Sequence, residues 1–477
     1  MRVGLAILAL FLATPVAAQD TSVSGELTRA DFETYREIPF TVPAGVERIT
    51  LRLTYDKADR TVVDLGLWDP DRFRGWSGGT RDRMTVSATD ASPGYLPGPL
   101  PEGPWTVVLG VPNIRAGTHG RYRVDVWFDR GKDRGAAAAI VDPPLRTGPG
   151  WYRGDLHMHD ANSDGSCAPR GRPDAARVPC PLFRTVEAAA AGLDFIAVSD
   201  HNTVSHFEGL RELQPWVAPM LLIPAVEITT FHGHANIFAP TRFVDFRLAT
   251  RNGIRALQDD VADAGAILSI NHPALPSGET CMGCGWTWPD TDWARVTAIE
   301  AINGVNAEGP LAGTAFWYAR LDAGYRITGI AGSDNHDPDA PAGQSRIGRP
   351  TTVVHAETLS TPAILQGIRD GNVFIDVEGT RDRLLEVEAI QAGRTVAMGG
   401  TLHPRGAVRL RVHVRGAAGA TARIVGVGNA LPTRRLLTQN EERLEMTIPD
   451  GAARRWFAVT IERGDHPLLL GNPIYMR

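Results

Sequence analysis

Between Trp151 and about Thr380 the chain alternates short apolar runs with helical stretches, and this alternation constrains the fold more than any other feature. The runs are WYRGDLHMH, LDFIAVSDH, MLLIPAVEITT, HANIFA, AILSINHP, AIEAING and RITGIAGSDNH, with RTVEAAAAG and GIRALQDDVADAG reading as helices between them. Repeated strand–helix units imply parallel strands, and about seven of them imply a closed barrel rather than an open sheet. The strand ends of such a barrel face one mouth. Here those ends carry His, Asp and Glu.

The flanks read differently. From about Asp20 to Asp142, ERITLRLTY, TVVDLGLW, GPWTVVLGV and GRYRVDVWFD alternate apolar with polar residues between Gly and Pro turns, which predicts a β-sandwich for residues 19–142. Residues 143–150, rich in Pro and Gly, read as a linker, and residues 151–382 as the barrel domain. LLEVEAIQ, AVRLRVHVRG and RWFAVTIERG predict a second small β domain over residues 383–477. The expected class is therefore α/β, a seven-unit barrel between two β-sandwich domains.

Residues 1–18 read as a signal peptide: Arg2, an apolar core from Val3 to Val16, and small residues before Gln19. The core is short for a membrane span, and nothing later reaches that length, so a periplasmic or secreted protein without an integral membrane segment is expected. Cys167, Cys180, Cys281 and Cys284 then read as disulfides, with three pairings open. A net charge of -5 argues against a general nucleic-acid binder. Lysine occurs only at Lys57 and Lys132, so no carbamylated lysine can bridge metals in the barrel.

The candidate ligands follow chain order: His157 and His159 on the first run, Asp164 just beyond, and His201 after the second. Glu227 lies in the third, His234 opens the fourth, His272 ends the fifth, and Asp334 with His336 ends the seventh. All are ligand types for zinc, manganese or iron. His157 with His159 and Asp334 with His336 share one spacing, which suits chelation from both sides where the first and last strands meet. With lysine absent, Glu227 is the remaining candidate bridge. Other candidates are Asp200 as an orienting acceptor, His206 as a general acid, His232 as a rival to His234, Asn303 as a substrate contact, and Arg346 and Arg349 as an anion clamp.

The elements GDLHMHDANSDG, AVSDHN, AVEITTFHGHANIF, INHP and GSDNH resemble the successive motifs of the PHP superfamily, the polymerase and histidinol phosphatase metallohydrolases. With the signal peptide, the leading β domain and IGRPTTVVHAETLSTPAILQGIRDGNVFIDV, the chain more narrowly resembles the CehA/McbA-type members. The resemblance spans Trp151 to about Val377 and implies a distorted (β/α)7 barrel holding two to three divalent metal ions (Zn, Mn or Fe). It implies one ion held by His157, His159, Glu227 and Asp334, a second by Glu227, His234 and His272, and a third by Asp164, His201 and His336. Asp160 stands where many relatives carry Ser or Thr. Glu227, Asp334 and His336 are the implied catalytic residues, and the implied activity is phosphomonoester or phosphodiester hydrolysis by a hydroxide held between metals. Carbamate or carboxylic ester hydrolysis is the alternative, marked by an aromatic wall from Trp286, Trp288, Trp293, Trp317 or Tyr318 rather than by convergent arginines. An envelope or polysaccharide binding protein with an inert barrel is the reading from another class.

Overall fold

The computed structural model describes residues 19–77, 79, 81–130, 143–247, 253–278, 281–403, 406–427, 434–451 and 453–477; the signal peptide lies outside them. The described residues fall into two compact units, one of residues up to Thr85 and from Pro101 to 130, the other of Val86–Leu100 and Pro143–Arg477.

In the first unit, strands Thr21–Leu27, Gly120–Asp129 and Arg48–Tyr55 lie side by side in one antiparallel sheet. Tyr35–Val42, Gly103–Asn113, Val62–Trp68 and Phe73–Trp76 form another. The alternation seen in the sequence becomes alternating burial, with Leu51, Leu53, Val107 and Leu109 turned inward. Phe40 of one sheet stacks on Phe128 of the other, with ring centroids 6.4 Å apart.

The second unit is mixed α/β and rich in strand. Seven strands of its main sheet are β1 (Arg146–Asp155), β2 (Phe195–Val198), β3 (Leu221–Thr230), β4 (Gly233–Phe238), β5 (Ile267–Ile270), β6 (Ala298–Asn303) and β7 (Thr328–Gly332). The helices are α1 (Leu182–Ala190), α2 (Phe207–Val217), α3 (Gly253–Asp263), α4 (Thr314–Asp322) and α5 (Thr361–Asp370). In α3, Ile254, Leu257, Gln258 and Val261 are buried, the stripe expected of a helix lying on a sheet.

The strands do not follow the regular parallel pattern expected from the sequence. β1, β2 and β3 are parallel, as are β5, β6 and β7, but β4 runs antiparallel to both β3 and β5. The cause is local. Phe231 and His232 alone connect β3 to β4, and a parallel crossover needs a dozen or more residues. The linker expectation also needs correction, because Arg146 to Gly150 belong to β1 and pair with β8 (Thr351–Leu359).

Beyond β8, the antiparallel strand β9 (Val373–Asp376) pairs with His466–Gly471. The sheet thus continues without a break into strands from the last hundred residues. Where β1 meets β2, Gly154 has no room for a side chain: a Cβ would lie 2.1 Å from the Phe195 ring. The cysteines pair as Cys167–Cys180 and Cys281–Cys284. Among the described residues no helix is long and apolar enough to cross a membrane.

Candidate metal centre

The centre is built where the extensions of β1 and β7 run side by side. Met158 and Asn335 form a parallel bridge; the Asp334 N–H donates to the His157 carbonyl at 2.8 Å and the His159 N–H to the Asn335 carbonyl at 2.8 Å. His157, His159, Asp334 and His336 therefore converge from two adjacent backbones. Gly332 makes this approach possible, since a Cβ there would lie 2.4 Å from His157 Cβ and 2.6 Å from Glu300 Oε1. Asp155 pins the seam from beneath. Fully buried, it accepts from the Ser333 N–H at 2.9 Å, the His157 N–H at 3.2 Å and the Gly348 N–H at 2.7 Å.

Glu227 lies at the middle. Its Oε1 is 3.3 Å from His157 Nε2, 3.4 Å from His234 Nδ1 and 3.3 Å from His272 Nε2. Oε2 is 2.9 Å from His201 Nδ1 and 3.5 Å from His159 Nε2. Asp334 Oδ1 meets His157 Nε2 at 3.3 Å and His159 Nε2 at 3.2 Å. On the outer side, Asp164 Oδ1 lies 3.2 Å from His336 Nε2 and 3.7 Å from His201 Nε2.

Donor atoms within 4.8 Å of one another form several groups. Two are His157–His159–Glu227 and His157–His272–Asp334, and a third is Glu227–His234–His272. The outer group is His159, Asp164, His201 and His336, so His159 faces both the inner set and the outer one. His232 is exposed against Trp288, whereas His234 turns inward to Glu227 and His272.

These residues fit cations. His157 Nε2, Glu227 Oε2, His234 Nδ1 and His272 Nδ1 are buried without a hydrogen-bond partner, a costly arrangement for a chain that holds nothing there. Two ligand atoms bound ~2.1 Å from one ion lie about 3–3.4 Å apart, which matches the spacing around Glu227. His272 and Asp334 also carry positive φ values of 26° and 53°, backbone strain of the kind that collects at functional sites.

Orienting groups complete the centre, and the most important was not singled out in the sequence. Glu300, buried on β6, accepts from the His272 N–H at 2.9 Å and from Asn303 Nδ2 at 3.0 Å, and lies 2.8 Å from His157 Nδ1. With Nδ1 held, His157 presents Nε2 to Glu227 and Asp334. Asn271 Nδ2 donates to Glu227 Oε1 at 2.8 Å. Asn303 also reaches Asp334 Oδ2 at 3.4 Å, so it orients carboxylates. Asp200 accepts from the Asp160 N–H at 3.0 Å and Ser163 Oγ at 2.5 Å, while Asp160 Oδ1 accepts from Asn162; together they shape the turn that carries Asp164.

Three expectations change. His206 is buried, with Nε2 against the Val198 and Ala225 carbonyls at 3.1 and 3.0 Å, so it has no path to a substrate as a general acid. Arg346 and Arg349 are exposed in a turn closed by the Arg349 N–H to the Arg346 carbonyl at 2.9 Å, and among the described residues neither side chain is hydrogen-bonded or ion-paired to a candidate ligand. Trp286, Trp288 and Trp317 are core residues, and Trp293 and Tyr318 pack against that core, so they form no open aromatic wall.

The charges of these side chains set what a metal would have to displace. Burial favours the neutral ring of His157, yet Asp334, Glu300 and Glu227 raise its pKa well above the usual histidine value. Burial likewise opposes a charge on His336, but its hydrogen bond to Asp164 raises it to about 9. Burial lowers His159 to about 4. Glu227 would be raised by burial, but the neighbouring His157 and His201 hold it well below the usual carboxylate range. Protons are thus favoured on His157 and His336, where a metal must displace them, whereas His159 favours the neutral ring, with one N–H and one open nitrogen. Metal loading of the stripped protein should release protons and weaken as pH falls. Calorimetric titration in two buffers of different ionisation enthalpy measures this; equal heats in both would contradict it.

No family model matches the chain, and no curated protein matches it. Its resemblance to solved structures is weak, as two of them show. One is a two-domain protein from Bacteroides vulgatus containing a predicted PHP-like metal-dependent phosphoesterase, 18% identical over 69% of this chain and 95% of that one, with a TM-score of 0.37. The other is a protein from Bifidobacterium adolescentis assigned as a metal-dependent phosphoesterase, 13% identical over 41% of this chain and 91% of that one, with a TM-score of 0.27.

Proposed function

We propose that the chain is a multinuclear metal-dependent phosphoesterase of the PHP type, built on a distorted seven-stranded barrel closed at the Met158–Asn335 bridge. The observation that carries the reading is one buried carboxylate, Glu227, within 3.5 Å of ring nitrogens from five histidines. Each of its oxygens faces a different subset of rings, as a carboxylate shared between cations requires. His157, His159, Glu227 and Asp334 would hold one ion, Glu227, His234 and His272 a second, and Asp164, His201 and His336 a third. Such cations supply Lewis acidity, activating water and neutralising charge on phosphoryl oxygens.

The chain's own residues set direction and access. The inner side chains of His157, His159 and Glu227 are fully buried, whereas Asp164 is 58% and His336 37% exposed. Substrate therefore meets the centre from the Asp164–His336 side. Glu300 and Asn303 hold the inner ligands in orientation behind it. Export to the periplasm or outside the cell belongs to this proposal through residues 1–18, as does the CehA/McbA affiliation through the motifs quoted above.

A panel of aromatic phosphomonoesters, phosphodiesters, carbamates and carboxylic esters, assayed with Mn, Zn and Fe forms, tests the reading. Turnover should favour phosphoesters, vanish on chelation and return with metal. Turnover confined to carbamates or carboxylic esters, or indifferent to chelation, would overturn it.

A further inference from the structure

Behind His234, on the side away from Glu227, lies the loop that carries Cys281 and Cys284. Both sulfurs and a ring nitrogen of His234 lie within 4.8 Å of one another. His234 Nδ1 faces Glu227, and Nε2 meets the Met282 carbonyl at 3.1 Å, so Nε2 is the nitrogen on the loop side. We propose that Cys281, Cys284 and His234 form a further metal site, open only when the Cys281–Cys284 disulfide is reduced, for a soft divalent cation such as Zn2+.

The donor set and spacing suit that ion. Thiolates ~2.3 Å from a tetrahedral zinc lie about 3.7 Å apart, which two cysteines already held together can reach by opening their bond. The loop keeps its place by other means than the disulfide. The Gly283 N–H donates to Ser277 Oγ at 2.9 Å, the Gly278 N–H to the Cys281 carbonyl at 3.0 Å, and the Trp286 N–H to the Pro273 carbonyl at 3.2 Å. Gly283 has a φ of +84°, and a Cβ there would lie 2.1 Å from the Thr230 carbonyl oxygen, so the loop backbone is seated directly on the end of β3. Reduction thus frees two sulfurs beside His234 in a loop with its own anchors.

The chemistry balances with an external dithiol as reductant. Its two electrons and two protons convert the Cys281–Cys284 bond into two thiols, while the dithiol closes to its own disulfide. The entering cation then displaces the two thiol protons. Facing the Met282 carbonyl, Nε2 carries the ring proton; for a cation to bind there that proton moves to Nδ1 and the Met282 bond is given up, and because a neutral imidazole offers one lone pair this withdraws Nδ1 from the Glu227–His234–His272 group. That consequence rests on the proposed metal centre; the thiolate site itself does not.

Cobalt(II) is the probe, added to metal-stripped full-length protein that has been oxidised, or reduced with dithiothreitol and desalted without oxygen. The reduced protein should show a thiolate-to-cobalt charge-transfer band that the oxidised form lacks. Cys281→Ser with Cys284→Ser should abolish the band while Cys167–Cys180 remains available, and His234→Ala should weaken the thiolate-bound cobalt at least about tenfold. A reduced protein in which the Cys281 and Cys284 thiols are counted but no band appears would overturn the proposal, as would a band that survives the double serine variant. If the band appears as expected and no ester is hydrolysed, this site stands and the hydrolase reading falls.

Discussion

Replacing Glu227 with glutamine should leave a folded protein whose metal content drops and whose turnover falls by about 10³-fold or more. The substitution keeps size and shape, and the amide oxygen can still accept from Asn271 Nδ2, which now donates to Oε1 at 2.8 Å. What it loses is the second anionic oxygen, and the amide NH2 must then face His201 and His159, where Oε2 now lies. A group with one acceptor cannot serve two cations. Stabilisation of transition-state charge by bound metals amounts to several kcal/mol, and each 1.36 kcal/mol is about tenfold in rate, so losing the shared position reaches ~10³-fold. Circular dichroism and metal analysis belong beside the assay. Wild-type metal content with wild-type turnover would remove Glu227 from its central place.

The ligand groups were legible because metal chemistry restricts residue type and strand geometry restricts position. His157 and His159, two apart on an extended backbone, project the same way; Asp334 and His336 share that spacing but reach the centre from beyond β7, where Asp334 has a φ of 53°. Glu300 was not legible. In AIEAIN it is one carboxylate within an apolar run, and only the folded chain shows that its oxygens meet His157 Nδ1, the His272 N–H and Asn303. The antiparallel course of β4 was available and missed: FHG between the runs MLLIPAVEITT and HANIFA is too short for a parallel crossover. The pairing of β9 with His466–Gly471 joins residues some ninety positions apart, and no local pattern encodes such a partner. His206 misled for a related reason. Its place after a strand-end Asp-His pair suggested the site, but its ring is turned into the core to satisfy two backbone carbonyls.

Asp155→Ala should cost the second unit on the order of 3 kcal/mol or more and loosen the metal centre at the same time. The carboxylate accepts from three backbone N–H groups, of Ser333, His157 and Gly348, at a fully buried position. Each buried donor left unsatisfied costs about 1–3 kcal/mol, and such losses within one cluster add incompletely. Two of those donors flank the chelating pairs. His157 is itself a ligand candidate, and Ser333 precedes Asp334, so loss of the acceptor frees both backbones at the point where β1 and β7 meet. Urea midpoints and metal retention should therefore fall together. Asp155→Asn separates shape from charge: its amide oxygen can keep the Ser333 and His157 donors now shared by Oδ1, while its NH2 group opposes the Gly348 N–H. Its stability should lie between alanine and wild type, with metal retention nearer wild type. Equal stability across all three proteins would mean that the strand ladder alone holds the seam, and that the convergence of His157 with Asp334 owes nothing to the carboxylate beneath it.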